Sequence, residues 1–75
     1  MIRLLFFAQL AERAGADEMS VPHRPTPGAL VASRVDLSFV KPAGARVAVN
    51  RVWSHWDAAL VDGDEVAFLP PNTAL

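Results

Sequence analysis

Residues 2–7 read IRLLFF, and the reading of this run decides the fold. Apart from Arg3 it is unbroken Ile, Leu and Phe. A short apolar run of strand length suits a strand covered on both faces, at the centre of a sheet. Working outward, residues 8–15 read AQLAERAG, rich in helix formers and closed by Gly, the usual residue just past a helix end. They predict one or two helical turns. Glu18–Val21 then sets Met19 and Val21 against Glu18 and Ser20, the alternation of an edge strand antiparallel to the first, and Pro22 ends it.

Thr26 followed by Pro27 is a helix start, because the hydroxyl can cap free N–H groups and Pro suits the first helical position. Val31, Ala32, Val35 and Phe39 follow at helical spacing, so one main helix is expected to run until just before Lys41 and Pro42. Residues 42–45 carry Gly44 and read as a turn, and residues 46–50, RVAVN, as a strand. Residues 51–56 read as a polar turn carrying Trp53 and Trp56. The pair Asp62-Gly63 is a tight-turn signal, first of all that of a hairpin, and Glu65–Leu69 is a last strand stopped by Pro70-Pro71. The order predicts an α+β fold, a small mixed sheet crossed by one main helix. Its connectivity is that of a β-grasp, ubiquitin-like domain over residues 1–75, with first and last strands parallel at the centre.

Composition narrows the function. A chain of 75 residues buries only roughly 60% of the surface its unfolded form exposes, so the core is thin. An enclosed enzyme cleft does not fit. Cysteine is absent, which removes disulfides, thiolate metal sites and thiol nucleophiles together. Seven basic and eight acidic residues give a net charge of −1, with no basic stripe for nucleic acid. The apolar start is far short of a membrane span and no cleavage site clearly follows it, so a cytoplasmic protein with no membrane partner is expected.

Few polar residues point to chemistry. His23 and His55 lack nearby second ligands, so solvated histidines and no metal site are expected. Asp62, Asp64 and Glu65 lack the further donors of a calcium loop. Ser54 and Asp57 belong to no recognisable catalytic constellation, so no catalytic side chain is expected. Arg13 and Arg51 are candidate basic contacts to an acidic partner, exposed charge without function being the commoner case. Phe6 and Phe7 point to opposite faces of the sheet, so one of them is core. Trp53 sits in a polar turn where burial is difficult, and aromatics anchor interfaces.

The opening MIRLLFFAQLAERAG resembles the start of the MoaD/ThiS-type β-grasp sulfur carriers, the MoaD branch being the small subunit of molybdopterin synthase. The stretch VAVNRVWSHWDAALVDGDEVAFLPPNTA, above all DGDEVAFLPP at residues 62–71, resembles that family's second half. The resemblance implies a carrier in molybdenum-cofactor biosynthesis rather than an enzyme by itself, with no cofactor of its own. It implies that Phe7, Trp53 and Leu69, followed by Pro70 and Pro71, meet the large (MoaE-like) synthase subunit. It also implies an E1-like adenylating enzyme that activates a C-terminal Gly-Gly for exchange to a thiocarboxylate. Two glycines suit a thread that must pass a narrow channel fully extended. Here Ala74-Leu75 stand where the family places Gly-Gly, and the glycines are at 15, 28, 44 and 63. Ala74 is small enough for such a channel, whereas Leu75 is expected to obstruct it. The second expectation is therefore a binding or regulatory subunit that docks without carrying sulfur. Pro70 and Pro71 favour an extended exit.

Overall fold

The computed structural model describes residues 1–73; Ala74 and Leu75, the two positions set against the family's Gly-Gly, lie outside the described residues. Five strands form one mixed sheet: β1 (Ile2–Phe6), β2 (Glu18–Val21), β3 (Arg46–Val49), β4 (Val52–Trp53) and β5 (Glu65–Leu69), in the order β2-β1-β5-β3-β4. Strand β1 is parallel to β5 and antiparallel to β2, and β3 is antiparallel to both β5 and β4. The two central strands therefore come from opposite ends of the described chain. This is the expected β-grasp arrangement.

Helix α1 (Gln9–Ala14) ends at Gly15, whose left-handed φ of 74° lets its N–H reach the Ala11 carbonyl. Helix α2 (Pro27–Ala32) begins where Thr26 Oγ1 accepts the Ala29 N–H at 3.0 Å, with Pro27 at the first position. Gly28 donates its N–H to the Trp56 carbonyl at 2.9 Å, and a β-carbon on it would stand only 3.1 Å from that oxygen. One face of the sheet buries Ile2, Leu4, Phe6, Val47, Val66 and Phe68 against Leu10, Leu30, Val31, Leu37 and Val40. Phe68 is the centre of this layer, 5.6 Å from the Phe6 ring centroid and 5.8 Å from that of Trp56.

Three expectations need correction. The main helix does not continue towards Lys41: α2 stops at Ala32, and a single 3-10 turn covers Val35–Leu37. The Ser33 hydroxyl donates to the Leu30 carbonyl, a local bond that competes with the helical ladder, and Arg34 takes extended angles. The break rotates the stripe, so Val35 is 91% exposed while Leu37 and Val40 are buried instead. Residues 51–56 are not only a turn, because Val52–Trp53 pairs with β3. Asp62-Gly63 turns the chain, with Asp64 N–H donating to the Val61 carbonyl, yet it is no hairpin: β5 goes on to pair with β1 and β3. The hairpin lies at Asn50-Arg51, whose φ values of 50° and 67° fit a two-residue turn between β3 and β4.

Candidate functional site

Both helices lie on one side of the sheet, which leaves the other side open. Period-two alternation places Arg3, Leu5 and Phe7 there from the first strand, Glu65, Ala67 and Leu69 from β5, and Arg46 and Ala48 from β3. The register puts Leu5 opposite Ala67, Ala67 opposite Ala48 and Ala48 opposite Trp53, an apolar row across four strands. The two alanines form a low floor between larger neighbours. A depression of about 310 Å³ results, lined by Leu5, Phe7, Ala48, Ala67 and Leu69 with Arg3, Arg51 and Glu65 at its rim.

Of the residues singled out in the sequence, Phe7 is 43% exposed at the edge of this depression. Leu69 lies in its wall but is only 4% exposed, packed with Ala48 and Ala67. Trp53 is half-buried against the same cluster, and the Arg46 guanidinium stacks 3.9 Å from its ring centroid. Pro70 is buried and Pro71 exposed. Just past Phe7, Ala8 takes a φ of 51°, unusual for a residue with a side chain, as the chain swings into α1.

The rim is paired charge. Arg3 meets Glu18 at 3.0 Å and Glu65 at 3.6 Å, and the hydrogen bond to Glu18 raises the Arg3 guanidinium above its ordinary value. Arg51 stands 4.0 Å from Glu65. Arg13 is elsewhere, 4.8 Å over the Phe39 ring. His23 Nε2 lies 2.9 Å from the Leu60 carbonyl, so it is an exposed side chain with one specific bond, and His55 is exposed. Among the described residues no three His, Asp or Glu side chains gather as a metal site. The depression itself is an apolar seat with a charged border.

The tail corrects a further expectation. Two prolines suggest an extended exit, but Thr73 N–H donates to the Pro70 carbonyl at 3.1 Å, closing a turn over residues 70–73. Pro71 is the second residue of that turn and Asn72 the third, positions their backbone preferences suit. Pro71 lies across Gly44, where an added β-carbon would be 3.7 Å from its ring. Arg46 Nη1 donates to the Thr73 carbonyl at 3.0 Å. Sequence reasoning passed over Arg46, although strand alternation already puts it on the face of Ala48.

The pattern of the ThiS family matches residues 4–73, nearly the whole chain. The chain belongs to the ThiS family. Among curated proteins, it is 40% identical over 79 residues to the molybdopterin synthase sulfur carrier subunit of Escherichia coli, covering 97% of this chain and 98% of that protein. Among solved structures it resembles a putative molybdopterin converting factor subunit 1 from Pyrococcus furiosus, with a TM-score of 0.73 and 26% identity over 93% of this chain and 95% of that one. A complex of subunits 1 and 2 of the molybdopterin-converting factor from Helicobacter pylori matches with a TM-score of 0.66. At 17% identity over 97% and 96% of the two chains, that likeness concerns the fold. The ThiS family assignment agrees with the strand order, the parallel central pair and the short helices. No helix among the described residues is long and apolar enough to cross a membrane.

Proposed function

We propose that this chain is the sulfur-carrier small subunit of a molybdopterin synthase, acting in the cytoplasm. The observation that carries the reading is the 40% identity, across almost the full length of both chains, to a protein of that description. In this reading the open sheet face seats an apolar projection of a larger, MoaE-like subunit. Phe7 and Trp53 supply accessible aromatic surface, Leu69 the wall of the seat, and Pro70 and Pro71 the path by which the tail leaves it. Aromatic side chains at the centre and a polar rim are the usual composition of a docking surface. The face contributes shape and burial, while activation of the terminal carboxylate falls to an E1-like adenylating enzyme.

Intact mass measurement tests the carrier step. The purified chain is incubated with its E1-like enzyme, ATP and a sulfur donor, beside a variant carrying Ala74→Gly and Leu75→Gly. Replacement of one carboxylate oxygen by sulfur in both proteins is the expected result, more slowly in the native chain, where Leu75 hinders the passage. Exchange in the diglycine variant alone would reduce the native chain to a docking subunit without cargo.

A further inference from the structure

We propose that Arg46 is a positioning residue that latches the tail. Its guanidinium carbon lies over Trp53, 3.9 Å from the ring centroid, and the same group donates to the Thr73 carbonyl at 3.0 Å. The tail meets it already folded, through the Thr73 N–H bond to the Pro70 carbonyl. Pro71 against Gly44 closes the other side of the turn. One cation thus ties three separated segments: β3, the short strand β4 and residues 70–73.

The tie has a direction. Arg46 lies opposite Leu69 in the β3–β5 register, so it reaches the chain just past the point where β5 ends. A tail held at Thr73 cannot run straight on from the strand, and an extended tail requires the bond to the Thr73 carbonyl to break. Trp53 packs against the open-face cluster, so an occupant of that face that covers the indole competes for the surface on which Arg46 stacks. Docking and tail release are then one event. The purpose assigned to the latch rests on the carrier reading above, whereas the latch itself belongs to the free chain.

The test therefore uses the free 75-residue protein and needs no sulfur chemistry. Heteronuclear NOE values are measured for the Thr73 amide in the native chain and in Arg46→Met, Arg46→Lys and Trp53→Leu. In the native chain Thr73 should be as ordered as Phe68, and the Arg46 side-chain protons should be shifted upfield by the Trp53 ring. Arg46→Met should drop the Thr73 value to that of a free terminus while leaving that of Phe68 unmoved. Arg46→Lys should restore part of it. Removal of residues up to Asn72 by carboxypeptidase should quicken roughly fivefold in Arg46→Met, the shift one net hydrogen bond supplies. Should Arg46→Met fail to fold, Trp53→Leu gives the same readout with the arginine intact. A Thr73 amide equally ordered in the native chain and in a folded latch variant overturns the proposal, as does one already free in the native chain. Failure of sulfur exchange would leave these results standing, which separates the two ideas.

Discussion

At the turn between β3 and β4, two neighbouring residues adopt left-handed backbone angles for different reasons. Asn50 is recompensed by its own side chain, whose Oδ1 accepts the Glu65 N–H and whose Nδ2 donates to Asp64, each at 3.0 Å. Arg51 has no such return: its side chain is 88% exposed and its nearest carboxylate is 4.0 Å away. A β-carbon in this conformation costs on the order of 1 kcal/mol, and glycine escapes most of that. Arg51→Gly should therefore stabilise the domain by about 1 kcal/mol, read as a thermal midpoint roughly 4–8 °C higher by calorimetry. A lower midpoint would mean that the exposed ion pair with Glu65 outweighs the backbone strain.

Among the elements, the segment after α2 departs furthest from its periodicity. Val35 and Leu37 are both apolar and two apart, yet the break at Ser33 and Arg34 sends the first to solvent and the second to the core. Val35→Asp should change stability by less than about 0.5 kcal/mol. Leu37→Ala should cost about 2–4 kcal/mol, and urea unfolding of the two variants separates them. This segment marks the limit of what the chain's pattern discloses. Strand Glu18–Val21 is legible to the residue from its alternation and Pro22, and Glu65–Leu69 from the turn before it and Pro70-Pro71 behind it. Helix α2 is legible at its Thr26-Pro27 start, but its end depends on a serine hydroxyl choosing a carbonyl, a competition that spacing does not encode. Strand β4 was hidden for a similar reason. Its two residues are strand only because β3 lies alongside, and Asn-Arg is a poor advertisement for a hairpin. Of the candidate site, Trp53 is legible as an aromatic in a polar turn, and Phe7 only through the family resemblance, since adjacency with Phe6 leaves open which ring is core. The alanine floor is not, since Ala48 and Ala67 acquire meaning only from being opposite one another.

Across the whole molecule, Asp64 joins parts that no continuous element connects. Its carboxylate accepts the Val61 N–H at 2.9 Å and the Asn50 amide, holding the approach to β5 against the β3–β4 turn. These bonds, the Asn50 side chain foremost, hold the Asp64 carboxyl below its ordinary value. A carboxyl depressed in the folded state stabilises that state above its unfolded pKa and loses the contribution as pH falls through the folded one. The loss from Asp64 should accordingly appear below about pH 4. Thermal midpoints recorded from pH 6 to pH 2 should fall less steeply for Asp64→Asn than for the native chain. Parallel curves would remove Asp64 from the acid response and leave it to Asp62, which the Met1 amino group depresses, and Asp36, which Arg34 depresses.

The pairing of β1 with β5 has a consequence for synthesis. Leu4 waits for Val66 and Phe6 for Phe68, so the first strand made finds its central partner only when the last has emerged from the ribosome. Until then IRLLF can pair with β2 on one edge while its other edge stays bare, a short apolar ribbon open to neighbouring nascent chains. Such sequence-distant closure is slow by nature. The yield of native protein in the cell should consequently depend on how quickly translation finishes the final strand, and on chaperone cover during that interval.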